Sequence, residues 1–194
     1  MSKIDSSHTK RKNKGIAKWV VTIFLITIVV SGLISMISEE LMEGSGIGAA
    51  FVILLSIVLI GIVFDVIGVA VTSADEAPFH AMAARKVSGA KESIRLLRNA
   101  ERVSSICNDV VGDICGVVSG SASAAIAAQI LSSGDFAIPR LITLLMSALV
   151  AGLTVGGKAI GKTFAVNSST NIVHFVGKCI YQLKHIPALF RKKK

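Results

Sequence analysis

In the stretch SICNDVVGDICGVVSG, residues 105 to 120, Asn108, Asp109 and Asp113 interrupt a run of glycines, valines and cysteines. Asp109 and Asp113 are four apart, so on an α-helix they project from nearly the same side as Gly116, Gly120 and Ser123. Carboxylate and amide oxygens are the ligands that hard cations such as magnesium prefer. Three further charges are set in apolar sequence, Asp65, Lys158 and Lys162, and the two lysines share one helical face. Two chemistries fit this set. Asp65, Asn108, Asp109 and Asp113 could present oxygens to a divalent cation, or the lysines could neutralise the aspartates and leave buried ion pairs that only fix helix packing.

The elements that must position these residues are membrane helices. Of the 194 residues, 52% are hydrophobic and only 17% charged, and the mean hydropathy is +0.69, which argues against water as the sole solvent. A first apolar segment runs from Trp19 to Ile37, long enough for a bilayer core of roughly 30 Å at about 1.5 Å per residue. It follows a basic head, as a secretory signal does, but no convincing small-x-small cleavage site follows it, so it is expected to remain as an anchor. The second segment, Ile47 to Ala70, has Asp65 as its only charge. The third, about Val103 to Leu131, is diluted by Asn108, Asp109, Asp113 and several serines, and the fourth runs from Ile138 to about Ile160.

The connections test this count. SEELMEGS, between the first two segments, has three glutamates and no basic residue, whereas residues 85 to 102 hold Arg85, Lys86, Lys91, Arg95, Arg98 and Arg102. The bias of lysine and arginine toward the cytoplasm puts the amino terminus, this middle loop and the basic carboxyl tail all inside, a pattern that four spans satisfy and three or five do not. Counted from Val103 at the inner surface, Asp109 and Asp113 lie roughly 9 and 15 Å into the membrane, and Asp65 lies about 8 Å in from its own end. A charge at such depth costs about 2.5 to 3.5 kcal/mol on insertion scales, so these carboxylates are expected to face protein or water.

The middle loop contains good helix formers from Glu76 to Ala100, punctuated by Ser88-Gly89. Its KESIRLLRN segment reads either as a helix at the headgroup level or as a solvated charged helix. From Asn167 to Phe190, Ile172, Phe175, Val176, Cys179, Ile180 and Leu183 recur at helical spacing, as in an interfacial belt helix.

The net charge of +9 is concentrated in the two termini and residues 85 to 102, where anionic lipid headgroups are a better match than nucleic acid. Cys107 and Cys115 are two turns apart on one helix, too far for a disulfide. His80, His174 and His185 lack ligand spacing, and the glycines Gly152, Gly156, Gly157 and Gly161 suit close helix packing. No nucleophile, base and orienting group can be assembled, so the chain is not expected to be an enzyme or to carry an organic cofactor.

Three stretches, in order, resemble the cyclin M-type (CNNM) transmembrane family, which includes the bacterial CorB and CorC magnesium and cobalt transport proteins. FDVIGVAVTSADEAPFHAMAARKVSGAKESIRLLRNAERV, Phe64 to Val103, is similar to the family's F-S-G-x-E-T-A segment, serine- and arginine-rich helix, G-A-K, leucine pair and N-P-E-R. Cys107-Asn108 looks like G-N-x-x-x-N, and GKAIGKTFA, Gly157 to Ala165, is similar to G-E-V-I-P-K-T-x-A. The resemblance covers about residues 46 to 180. It implies a dimeric domain in which the motif serine, the asparagine of the middle span and the glutamate of G-E-x-x-P-K hold magnesium, positions that here are Asp65, Asn108 and Lys158. The departures are chemical. Gly68 replaces the motif's first glutamate, Gly112 the second asparagine, Lys158 cannot coordinate a cation, and Asn108 sits about one turn nearer Arg102 than the family spacing puts it. The CBS regulatory domains that commonly follow are not found in this sequence.

The expectation is therefore an all-α integral membrane bundle of about four transmembrane helices with juxtamembrane amphipathic helices. Residues 1–18 form a basic cytoplasmic tail, 19–45 the anchor helix and outer loop, 46–166 the CNNM-like core, and 167–194 the belt helix and basic tail. Its expected place is the cell membrane, as a multi-pass homodimer with both termini cytoplasmic and with lipid, not nucleic acid, as its surroundings. The expected function is transport of magnesium or a similar divalent cation through Asp65, Asn108, Asp109 and Asp113. The alternative is a non-transporting scaffold or accessory protein whose buried aspartates pair with Lys158 and Lys162.

Overall fold

The computed structural model describes residues 3–42, 44–134 and 138–191, with side chains from Trp19 to His185 within those ranges. It is 90% helical, and among the described residues there is no strand. Glu43 of the acidic connection and the terminal Lys192, Lys193 and Lys194 lie outside the described residues.

Helix α1, Lys3–Met42, carries the first apolar segment and ends where Ser45 donates both its backbone N–H and its hydroxyl to the Met42 carbonyl, at 3.2 and 2.9 Å. Gly44, with φ of 75°, makes the tight reversal into α2, Ile47–Ser73. Two short helices follow, α3 (Ala77–Ala84), with Pro78 in its first turn, and α4 (Ala90–Arg98). The third apolar segment is one continuous rod made of α5 (Ala100–Ser105), a π-helical segment (Ile106–Gly112) and α6 (Asp113–Ser132). Helix α7, Pro139–Asn167, opens on its proline, and α8, Ser169–Arg191, follows after a single residue.

Among the described residues, four stretches are long and apolar enough to cross a membrane, Trp19–Met42, Ile47–Ser73, Ala100–Ser132 and Pro139–Asn167. Their outer surfaces are studded with exposed large apolar side chains, among them Phe24, Val52, Leu144 and Ile160. In water such a surface would drive aggregation, whereas hydrocarbon solvates it without penalty. The fold is that of a multi-pass helical membrane protein.

Helix α2 is the hub, in contact with α1, α5, the π segment, α6, α7 and α8. At one end Ala50, Leu54 and Val58 pack with Ala122, Ile126 and Val150 of α6 and α7. At the other end Ala70 and Val71 join Phe79, Leu97, Ala165 and Val173 from the juxtamembrane helices and the end of α7. Helix α1 is peripheral and lays Ile23, Val30 and Ile34 against Val110, Ile114 and Val118. Asp65 falls on α2 between the two larger clusters, in the stretch that faces the π segment and α7.

The juxtamembrane helices clasp each other. Gly89 has φ of 88°, and a Cβ there would lie 2.6 Å from Lys178 Cα. On the facing helix a Cβ at Gly177 would lie 2.8 Å from the Gly89 carbonyl oxygen. The buried Ser93 hydroxyl donates to Gly89 O and to Val173 O, both at 3.1 Å. Thus α4 buries Ala90, Ser93 and Leu97 against α8 and leaves Lys91, Arg95 and Arg98 exposed. KESIRLLRN thus forms an amphipathic helix that keeps its charged side exposed and packs its apolar side on α8.

Candidate functional site

Asp65 is the centre of the charged layer. It is only 3% exposed, and its two carboxylate oxygens are approached by two ammonium groups, Lys158 Nζ at 3.9 Å from Oδ1 and Lys162 Nζ at 3.9 Å from Oδ2. Lysines four apart on α7 share a face, so one turn of helix brackets one carboxylate. Lys158 also stands 3.8 Å from Asp113 Oδ1 and donates a hydrogen bond to the Gly112 carbonyl at 3.3 Å. Distances near 4 Å are ion pairs without direct hydrogen bonds, and Asp65 Oδ2 is buried with no hydrogen-bond donor.

Glycines make this approach possible. A Cβ at Gly112 would lie 3.3 Å from Lys158 Nζ and 3.9 Å from Asp65 Oδ1, in the space through which the lysine reaches the carboxylate. A Cβ at Gly157 would lie 3.2 Å from Ile62 Cγ1 and closer still to its Cδ1, while one at Gly161 would be 2.7 Å from Val66 Cγ2. Helix α7 therefore lies close on α2 along the glycine side that carries Lys158, and the lysines arrive at Asp65 because that side is small.

Asn108 belongs to the same contact between α2 and the π segment but does not join the ion pairs. Its Nδ2 donates to Ser104 Oγ at 3.2 Å, and its Oδ1 is buried with no partner, directly against Gly68. The π segment turns Cys107, Val110 and Gly112 inward and leaves Asp109 exposed, accepting a hydrogen bond from Ser105 Oγ at 2.8 Å. The Asp113 side chain is 72% exposed on the same rod.

The four residues expected to present oxygens are thus divided. Asp65 and Asp113 share Lys158, Asn108 stands against Gly68, and Asp109 is held locally by Ser105. Among the described residues, no three His, Cys, Asp or Glu side chains stand close enough to hold a metal ion. With an ammonium group beside Asp65 and Asp113, the donor set as arranged does not fit a resident divalent cation.

Lys158 and Lys162 were visible in the sequence as possible neutralising groups. The facing of Gly68 and Asn108 was not, because periodicity locates residues on one helix and says nothing of which residue on another helix meets them. A second polar group was also missed: Gln129, Ser35 and Ser38 line a cavity at the far end of α1 and α6. Its one signal in the sequence was the acidic SEELMEGS connection.

No protein-family model, curated protein or solved structure matched the chain.

Proposed function

We propose that this is a non-enzymatic, non-transporting scaffold or accessory protein of the cell membrane, in which the intramembrane carboxylates of Asp65 and Asp113 are neutralised by lysines. One observation carries the reading: the buried Asp65 carboxylate is bracketed by Lys158 and Lys162, each at 3.9 Å. Two aspartates and two lysines leave this group of four with no net charge, which removes the negative potential that attracts a divalent ion. A buried pair of this kind fixes which faces of α2 and α7 meet, since any other register would strand a charge in hydrocarbon. The basic middle loop and tails favour a topology with both termini cytoplasmic. Gly120, Gly152 and Gly156 have open space where a side chain would be, which suits close approach of a second copy in a homodimer.

A second reading, transport of magnesium or a similar divalent cation, is favoured by one specific observation. Two oxygens on α2 and on the π segment that packs against it, Asp65 Oδ2 and Asn108 Oδ1, are buried without hydrogen-bond donors. Both belong to positions that the CNNM resemblance aligns with ligands. Magnesium would be the cargo in that reading, and Lys158 would have to leave the layer.

Calorimetric titration of the purified protein with millimolar magnesium separates the two. The scaffold reading expects no heat and no change in melting temperature, together with no magnesium flux in proteoliposomes. Saturable heat that disappears in Asp65→Asn would replace it with the transport reading.

A further inference from the structure

The clasped pair α4 and α8 carries charge of one sign. Helix α8 has no acidic residue in its sequence and α4 has only Glu92, whereas Lys91, Arg95 and Arg98 on α4 and Lys178 and Lys184 on α8 are all exposed. That single carboxylate gathers a cation from each helix. Its Oε1 stands 3.9 Å from Arg95 Nη1 and 3.8 Å from Lys184 Nζ, so the two nitrogens, held to one oxygen, are close enough to share a single phosphate group. Glu92 is 13% exposed, against 70% for Arg95 and 52% for Lys184. The carboxylate therefore fixes the pair from beneath, and a guanidinium with five N–H groups and an ammonium with three keep donors for an anion outside.

The chain ties this basic surface to the edge of the bilayer at two points. One residue, Asn99, joins α4 to the third span, and one residue, Ser168, joins the fourth span to α8, with nearly the same backbone angles, φ −117° and ψ 27° against φ −119° and ψ 21°. Neither helix can leave the membrane surface. The other side of α8 meets hydrocarbon: Ile172, Phe175 and Val176 line an apolar groove with Val63 and Val66 of α2 and Phe164 of α7, residues of the spans' lipid-facing surface. A helix with one side in such a groove and lysines on its exposed side sits where acyl chains give way to headgroups.

We propose that the α4–α8 pair binds anionic phospholipid headgroups of the leaflet at this end of the bundle, with one lipid phosphate seated between Arg95 and Lys184. An acidic segment of a soluble protein would match the charge but would leave the adjoining apolar groove without a role. A lipid supplies both the phosphate and the chains. The surface depends on the membrane fold alone and is the same whether the chain is a scaffold or a transporter.

The test uses the full chain, purified in an uncharged detergent, with thermal unfolding followed by circular dichroism during titration with dihexanoyl-phosphatidylglycerol. Parallel titrations use dihexanoyl-phosphatidylcholine, sodium phosphate and a hexaglutamate peptide. A saturable rise in melting temperature is expected with the anionic lipid, largely lost in 0.5 M sodium chloride, and none with the other three. Arg95→Ala and Lys184→Ala should each weaken the lipid about fivefold, and the double variant by at least about tenfold, as expected for losing cations near a lipid surface. Both side chains are exposed, so the variants are expected to fold. Arg140→Ala, the same charge removed from the start of α7, should bind as the parent does. The proposal is overturned if the anionic lipid gives no saturable rise, if phosphatidylcholine gives the same rise, if inorganic phosphate or hexaglutamate replaces the lipid at equal concentration, or if the folded double variant keeps the parent affinity.

Discussion

Gly68 and Asn108 touch across the contact between α2 and the π segment so closely that any side chain at position 68 would occupy the place of the Asn108 amide. The amide cannot simply swing away, because its Nδ2 is held by Ser104 and the group lies inside the bundle. Gly68→Ala is therefore expected to destabilise the protein by about 1–3 kcal/mol, the usual cost of overpacking. Asn108→Ala introduced with it should recover most of that loss. Thermal unfolding in detergent, followed by circular dichroism, reads both, and equal melting temperatures for parent and Gly68→Ala would refute the contact.

Removing one partner of the central ion pair should cost more than removing both. Lys158→Met leaves Asp65 with only the half-exposed Lys162, and Asp65→Asn leaves Lys158 with only the exposed Asp113. Each single change is expected to cost up to about 3 kcal/mol, below the full penalty for a stranded buried charge because a second partner remains. The double variant Asp65→Asn/Lys158→Met should be more stable than the sum of the singles. A double-mutant cycle giving no coupling would show that the pair does not act as a unit.

The clasp between α4 and α8 depends on two glycines. Gly89→Ala meets the Lys178 backbone and must also hold a positive φ, and Gly177→Ala meets Ser93 and the Gly89 carbonyl. Each is expected to cost about 1–3 kcal/mol, and protease cleavage after the exposed Lys178 should accelerate in both. Unchanged cleavage rates would mean that the juxtamembrane helices are held by something other than this seam. By contrast Glu92→Gln, which loses ion pairs with Lys184 at 3.8 Å and Arg95 at 3.9 Å, should cost less than about 1 kcal/mol, because both lysine and arginine are exposed.

Orientation has its own test. In a background of Cys179→Ser, with Cys107 and Cys115 buried, Glu40→Cys should react with a membrane-impermeant thiol reagent added outside intact cells. Arg95→Cys should react only after the membrane is opened. The reverse pattern would invert the topology read from the basic loops.

Much of the architecture could be read from the chain itself. Four apolar runs, a basic middle loop broken at Ser88-Gly89 and an amphipathic end correspond to α1, α2, the α5–α6 rod, α7, the α3–α4 pair and α8. These follow from local composition: about twenty apolar residues suffice to span a bilayer, and glycine or proline punctuates what lies between. The register of α7 on α2 was half visible, since Lys158 and Lys162 share a face with small residues.

What each polar group meets was decided only by tertiary packing. Helical periodicity gave Asp109 and Asp113 a common side, but whether that side looked inward depended on the π segment and on how α1, α2 and α7 share the surface of the rod. The structure turns Gly112 inward and both aspartates outward, and delivers Lys158 to the gap that Gly112 leaves. A side chain's neighbour on another helix can lie more than forty residues away in sequence, as Lys158 does from Gly112. The amino-acid order thus determined that this chain enters a membrane, because hydrophobicity is a sum over local residues. Which charge answers Asp65 is a matter of shape between helices, and only the assembled bundle decides it.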